Sequence, residues 1–239
     1  MSIINTATNT VVNTVTVGSG PAGVAITPNG KYAYVTNNGV LGTVSVINTA
    51  TTTVVKTVTV GSAPDGIAIT PNGSYAYVAN DDSNTVSVIN TATNTVVKTV
   101  TVGSLPVGIV ITPNGKYAYV TNNRSNTVSV INASTNTVVK TVTVGVQPYG
   151  VAIAPSGSYA YVANDNSGDS GTVSVINAFT NTVVKTVTVG SGPEGVAITP
   201  NGKYAYVTNY DTVSVINTAT NTVVKTVTDG SGPVGVAIT

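Results

Sequence analysis

One segment recurs along the chain at nearly constant spacing, and it constrains the fold more than any other feature. The segment Gly-Val-Ala-Ile-Thr-Pro-Asn-Gly-Lys-Tyr-Ala-Tyr-Val-Thr-Asn-Asn returns with few changes, and the proline before it stands at Pro21, Pro64, Pro106, Pro148, Pro193 and Pro233. The spacings are 43, 42, 42, 45 and 40 residues. A repeat of about 42 residues that is built only from strands is typical of a propeller blade.

Each repeat contains four strand signals separated by turn chemistry. In the second complete repeat the strands are predicted at 66–70, 75–79, 85–89 and 95–102, and the Asn-Gly step at Asn72 is a strong hairpin signal. β-branched Val, Ile and Thr dominate these segments, while residues that favour helices are nearly absent. The pattern therefore predicts an all-β chain made of four-stranded antiparallel sheets.

The chain does not contain a whole number of repeats. Five complete units are predicted, at 21–60, 64–102, 106–144, 148–189 and 193–228. Residues 2–17 supply a third and a fourth strand, and residues 233–239 supply a first strand, so the second strand of this sixth unit is missing. We predict a single six-bladed β-propeller domain over 1–239, with an incomplete blade formed by both termini.

Two interpretations of the missing strand stay open. In one, the chain is a six-bladed ring in which that strand is absent or is supplied by another chain, since an unpaired strand edge recruits partners. In the other, the sequence is an excerpt of a longer array of repeats.

A tetrapeptide in the second strand carries a family resemblance. Tyr-Val-Thr-Asn stands at 34–37, 119–122 and 206–209, and Tyr-Val-Ala-Asn stands at 77–80 and 161–164. The chain resembles the YVTN family of β-propeller repeats, which is similar to surface-layer propellers of methanogenic archaea. The resemblance implies a propeller fold and an extracellular or cell-surface location. It implies no single activity, because propellers host unrelated functions.

Composition excludes several classes of site. The 239 residues include no His and no Cys, so a Ser-His-Asp triad, a Cys nucleophile and an ordinary zinc site are excluded. The net charge of +1 argues against nucleic acid as a partner. The sequence has no long apolar run of the kind that spans a membrane, and it shows no signal-peptide pattern at its start.

The few charges, 7% of the residues, are sorted by sign. All eight acidic residues fall in the loops after the second and fourth strands, which share one end of each sheet, the loop end. Lysines lie in the turn at the opposite end or in the fourth strand, where they protect an edge. Discs with one acidic end and one basic end would stack head to tail.

The loop end holds the candidate site residues. The sequence suggests partner binding by Asp65, Asp81, Asp82, Tyr149, Asp165, Asp169, Glu194, Tyr210 and Asp211. Asp165 and Asp169 lie in the longest loop, whose oxygen atoms are of the type that binds Ca²⁺. No other cofactor is predicted, and no catalytic residue is assigned. The G-x-G-x-x-G string at 18–23 is followed by a strand rather than a helix, so it is not a nucleotide site.

These observations favour a non-enzymatic structural or interaction propeller. Its partner would be a second copy or another surface protein, and it would self-assemble by strand donation or face-to-face stacking. One alternative is a metal-assisted hydrolase or lyase of the lactonase type, which would rely on Asp65, Glu194 and neighbouring asparagines without a histidine base. Another alternative is a glycan-binding module that uses the acidic loop end.

Overall fold

The chain folds into antiparallel strands joined by short turns. A computed structural model describes residues 1–39, 41–166 and 170–238, and these contain no α-helix. The first sheet has only two strands, β1 (Ser2–Asn5) and β2 (Thr10–Thr14).

Five four-stranded sheets follow, which we call blades 1 to 5. Blades 1 and 2 consist of β3 (Pro21–Ile26), β4 (Tyr32–Asn37), β5 (Thr43–Asn48), β6 (Thr53–Thr59), β7 (Pro64–Ile69), β8 (Tyr75–Asn80), β9 (Thr85–Asn90) and β10 (Thr95–Thr101). Blades 3 and 4 consist of β11 (Pro106–Ile111), β12 (Tyr117–Asn122), β13 (Thr127–Asn132), β14 (Thr137–Thr143), β15 (Pro148–Ile153), β16 (Tyr159–Asn164), β17 (Ser170–Asn177) and β18 (Thr182–Ser191). Blade 5 consists of β19 (Val196–Ile198), β20 (Tyr204–Thr208), β21 (Thr212–Asn217) and β22 (Thr222–Thr228).

The two middle strands of each blade form the core. In blade 1, Tyr34 of β4 pairs with Val46 of β5, and both side chains are fully buried. The central strands carry apolar side chains on both faces, a pattern that suits a sheet packed against a neighbouring sheet on either side. The fourth strand lies at the sheet edge and is mostly exposed.

The chain divides into two compact units, Met1–Thr101 and Val102–Thr239. Unit 1 holds β1 to β10, and unit 2 holds β11 to β22. Within each unit the first strands of consecutive blades pack against each other, as β3 does on β7 and β15 does on β19. The hydroxyl of Thr36 joins two such strands in unit 1, because it donates to the carbonyl oxygen of Asp65 at 2.7 Å.

A tyrosine of the second strand fastens each blade to the next one within a unit. The hydroxyls of these tyrosines donate to an asparagine in the turn before the next blade's fourth strand, and the pairs are Tyr34 with Asn94 at 2.6 Å, Tyr119 with Asn181 at 2.5 Å and Tyr161 with Asn221 at 2.8 Å. Burial, and next the neighbouring strand tyrosine, raises the pKa of each of these three tyrosines to about 12. We call this hydrogen bond the tyrosine latch.

Both ends of the chain differ from the complete blades. The β1–β2 sheet packs on blade 1, where Val15, Ala33, Val35 and Ile47 form a small core. Residues 233–238 form no strand, so the strand predicted at 233–239 is wrong for its described part. A strand needs a hydrogen-bonded neighbour, and the segment lacks the second strand that pairs with the first in every complete blade. The carbonyl of Val234 still accepts from Thr208 at 3.2 Å.

Candidate functional site

Two acidic residues that are distant in sequence meet at the loop end of blade 2. Pro64 of β7 pairs with Asn80 of β8 in the antiparallel register. The residues that follow them, Asp65 and Asp81, therefore lie at the same end of the sheet. Asp82 is next in the chain and is exposed. We call Asp65, Asp81 and Asp82 the acid cluster of unit 1.

Backbone hydrogen bonds hold the two half-buried members of this cluster in place. The carbonyl oxygen of Asp65 accepts the hydroxyl of Thr36 at 2.7 Å. The N–H of Asp81 donates to the carbonyl oxygen of Ala63 at 2.9 Å. The connector before β7 is thereby tied to the loop after β8, so both carboxyl groups stand on an anchored backbone.

The surroundings of the cluster favour the protonated carboxyl. Burial raises the pKa of Asp65. Burial also raises the pKa of Asp81, and the charges of Asp82 and Asp65 raise it further. Oδ1 of Asp81 is buried and accepts no hydrogen bond from a described residue. An unpaired buried oxygen costs free energy, so this position favours a ligand that brings a hydrogen-bond donor.

A second acidic pair lies in unit 2. Asp165 follows β16, and Glu194 lies at the entrance to β19. Burial and then the charge of Asp165 raise the pKa of Glu194. The carbonyl of Glu194 accepts the N–H of Gly150 at 2.9 Å, so Tyr149 is next to the residue that contacts Glu194.

The remaining predicted positions are more scattered. Tyr210 is 61% exposed, and its Cβ and Oδ1 of Asp165 both lie within 4 Å of the position that a Cβ on Gly192 would occupy. Asp211 is exposed. Asp169 lies outside the described residues. A partner-binding role for these residues stays a prediction.

The described acidic residues do not fit a protein-bound metal ion. In residues 1–39, 41–166 and 170–238, no three His, Cys, Asp or Glu side chains are close enough to hold one. The charges of Asp82 and Asp65 raise the pKa of Asp81, but these three acids do not form a group that could hold a metal ion. No chemical step is derived through a metal, and calcium at Asp165 and Asp169 stays a prediction.

Sequence reasoning named Asp65 and Asp81 but did not pair them. The lactonase-type alternative instead combined Asp65 with Glu194, which occupies the same position in another repeat. The pairing of Asp65 with Asp81 follows from the register of Pro64 with Asn80, which only the folded hairpin displays. The sequence already contained an indication of this proximity, because Pro64 begins the first strand and Asn80 ends the second strand of the same predicted hairpin.

Two propeller family models match parts of the chain. The model described as a YNCE-like β-propeller matches residues 67–167. The model described as lactonase, a 7-bladed β-propeller, matches residues 3–108. No curated protein sequence matches the chain.

Solved structures with the same fold are numerous. Hydrazine synthase of Kuenenia stuttgartiensis is 27% identical with a TM-score of 0.79, over 87% of this chain and 65% of that one. A functionally unknown protein from Desulfotomaculum acetoxidans is 21% identical with a TM-score of 0.76, over 91% of this chain and 74% of that one. The Cps50 (Swd1) β-propeller domain of Myceliophteria thermophila is 15% identical with a TM-score of 0.74, over 87% of this chain and 68% of that one. The chain thus spans slightly less than two thirds of the hydrazine synthase chain.

The comparisons confirm the predicted fold class. The chain is an all-β propeller of about six blades, built from four-stranded antiparallel sheets. The link to YVTN repeats and surface layers stays a prediction. In the described part of the chain, no helix has the length and apolar character needed to cross a membrane.

The interpretation as a non-enzyme is wrong. The lactonase family model and the likeness to hydrazine synthase both point to propellers that belong with enzymes. The physical error lay in treating the absence of His and Cys as decisive. That absence excludes only reactions that need those side chains, and a carboxyl group with a raised pKa can serve as acid or base near neutral pH.

Proposed function

We propose that this propeller hydrolyses a lactone, a cyclic ester, at the acid cluster of unit 1. The observation that carries the proposal is a coincidence of position: the lactonase match over residues 3–108 contains all three acids of the cluster. The buried, unpartnered Oδ1 of Asp81 supports it, because the approach of a water molecule or a substrate hydroxyl would supply the missing donor.

Of the two half-buried carboxyl groups, Asp81 acts as the general base and Asp65 acts as the general acid. Asp81 as carboxylate takes a proton from water, whose oxygen adds to the carbonyl carbon of the lactone. The ring C–O bond then breaks, and the alkoxide that leaves takes a proton from the carboxyl group of Asp65, whose pKa burial raises. The product is an open hydroxy acid, and a proton passes from Asp81 back to Asp65 to restore the starting state.

An isosteric substitution tests the role of Asp81. Asp81→Asn should lower the rate of hydrolysis of γ- and δ-lactones by at least about 100-fold, since amides do not accept the proton. Proton release is followed with a pH indicator, and melting temperature is measured in parallel. Asp81→Asn should not lower the melting temperature, because the native carboxylate is already disfavoured by burial.

The matched control is Asp165→Asn, since Asp165 follows the second strand of blade 4 as Asp81 follows that of blade 2. The control should hydrolyse lactones at the wild-type rate. Wild-type protein that hydrolyses no lactone faster than buffer would overturn the proposal, as would full activity in Asp81→Asn.

The other functional expectations remain predictions from the sequence. A cell-surface location rests on the resemblance to YVTN repeats alone. Stacking through oppositely charged ends is supported by the charge sorting, and glycan binding at the loop end is supported by the acidic residues there and the exposed Tyr210. None of them conflicts with a hydrolytic site in unit 1, because a propeller presents several separate surfaces.

A further inference from the structure

Asparagine followed by glycine loses its side-chain amide readily, because glycine has no Cβ to hinder the reaction. The backbone nitrogen of the glycine bonds to Cγ of the asparagine, the amide nitrogen leaves as ammonia with the glycine proton, and a succinimide ring forms. Water then opens the ring to aspartate or isoaspartate. Ring closure needs a glycine nitrogen and an asparagine side chain that are both free to meet. The chain contains five such steps, which begin at Asn29, Asn38, Asn72, Asn114 and Asn201.

Four of the five steps lie in the turn between the first and second strands of a blade, where the glycine nitrogen is already engaged. Its N–H donates to the carbonyl oxygen of the threonine three residues earlier. The pairs are Gly30 with Thr27, Gly73 with Thr70, Gly115 with Thr112 and Gly202 with Thr199, at 2.7–2.8 Å. We call Asn29, Asn72, Asn114 and Asn201 the turn asparagines. Attack by any of these glycine nitrogens first requires that its hydrogen bond breaks.

The side chains of the turn asparagines are held as well. In blade 2, Oδ1 of Asn72 accepts the hydroxyl of Thr70 at 2.7 Å and the N–H of Ser74 at 3.0 Å. The same two hydrogen bonds recur at Asn29, Asn114 and Asn201. The amide that must turn toward the glycine nitrogen is therefore fixed on other partners, and ring closure at these turns must break all of these hydrogen bonds.

The remaining step, Asn38–Gly39, follows the second strand of blade 1 and is held differently. The N–H of Asn38 donates to the carbonyl oxygen of Gly20 at 2.8 Å, which anchors the backbone just before the reacting groups. Among the described residues, neither the N–H of Gly39 nor the side chain of Asn38 has a hydrogen-bond partner. The attacking nitrogen and the amide that it attacks therefore lack the restraints that hold the turn asparagines.

We propose that Asn38 is a deamidation site of the folded protein and that the fold protects the turn asparagines. By repeat position Asn38 corresponds to Asp81 of blade 2. The two backbones agree, because the N–H of Asp81 donates to the carbonyl oxygen of Ala63 at 2.9 Å as that of Asn38 does to Gly20. Deamidation therefore places a new carboxylate at the loop end of blade 1, where blade 2 carries its own, and lowers the net charge of +1 by one unit.

Peptide mass spectrometry follows each step separately. Trypsin cleaves after lysine, and its cleavage after Lys31, Lys56, Lys98, Lys116, Lys185 and Lys203 places the five steps on five peptides. Each deamidated peptide gains the mass difference between water and ammonia. When the folded protein is incubated at mildly alkaline pH, Asn38 should react at least about tenfold faster than any turn asparagine, because ring closure elsewhere must first break several hydrogen bonds.

The same incubation in concentrated urea is the control. Unfolding removes every restraint, so the five steps should then react at similar rates. A folded protein in which a turn asparagine reacts as fast as Asn38 overturns the proposal. An advantage of Asn38 that persists in urea also overturns it, because the advantage would then come from the local sequence and not from the fold.

One substitution tests the protection itself. Thr112→Ala removes the hydroxyl that donates to Asn114, so deamidation of Asn114 in the folded protein should accelerate about fivefold. Asn72 is the matched control in the same molecule, because its own partner Thr70 is intact, and its rate should stay unchanged unless the variant unfolds. Thr112→Ser keeps the hydroxyl and should keep Asn114 slow. A rate at Asn114 that stays slow in folded Thr112→Ala would contradict the protective role of these hydrogen bonds.

Discussion

Thr52 departs from the repeat at a position where the backbone is left-handed. It has a left-handed backbone with φ 54°, where the equivalent turn positions in the other sheets hold asparagine, at Asn9, Asn94, Asn136, Asn181 and Asn221. A β-branched residue is strained in this region, whereas asparagine tolerates it. Thr52 accepts a hydrogen bond from Asn13 at 2.6 Å, and Asn13 stands where the other fourth strands have lysine.

The exchange has a structural reason. The turn asparagine accepts the tyrosine latch from the preceding sheet, and among the described residues the β1–β2 sheet offers no tyrosine that donates to position 52. The Asn13–Thr52 hydrogen bond joins the β1–β2 sheet to blade 1 in its place. The departure from the repeat therefore coincides with a junction that a different hydrogen bond holds.

Replacement of Thr52 should stabilise the protein. Thr52→Asn relieves the left-handed strain and should raise the free energy of unfolding by about 1 kcal/mol. The reverse change in blade 2, Asn94→Thr, introduces that strain and removes the acceptor of Tyr34, so it should lower the free energy of unfolding by more than about 1 kcal/mol. Urea unfolding measures both, and equal stability of the two variants would contradict the strain argument.

At the scale of the element, the fourth strand combines two protections of an open edge. The register against the third strand shifts at its second valine, as between Val96 and Lys98 in β10. That valine is about half exposed in blades 1 to 5, and the lysine after it is exposed. A bulge and a charge both hinder the addition of a further strand.

Loss of the edge lysines should promote aggregation. Lys56→Thr, Lys98→Thr and Lys140→Thr together leave β-prone Thr-Val-Val segments without a charge, so light scattering on heating should begin at a lower temperature. The matched control replaces Lys31, Lys116 and Lys203, the turn lysines, by threonine and changes the net charge equally. Equal aggregation of the two triple variants would show that net charge, and not edge protection, matters.

At the scale of the whole molecule, the acidic loop end costs stability at neutral pH. Asp65, Asp81 and Glu194 have a raised pKa, chiefly through burial. The folded state therefore binds protons more tightly than the unfolded state does. Their contribution to stability is fully present below pH 3.8, the ordinary value for aspartate, and is lost as pH rises through the raised values.

The melting temperature should therefore fall as the pH is raised from about 4 to 7, where these groups lose their protons. The triple variant Asp65→Asn, Asp81→Asn, Glu194→Gln should lose most of this slope, because amides do not titrate. Differential scanning calorimetry at constant ionic strength measures the effect. A wild-type melting temperature that rises over this interval would contradict the sign of the argument.

The sequence by itself determined the four strands of each of the five complete blades, because period-two patterns and turn residues act locally and recur in every unit. It also placed Asp65 and Asp81 at one end of the sheet. Tertiary structure decided which side chains meet: the register that brings Asp81 beside Asp65, the burial that raises their pKa and the tyrosine latch to Asn94 from a strand 60 residues away. These features depend on contacts between segments distant in the chain, and near-identical repeats offer many such pairings until the fold selects one.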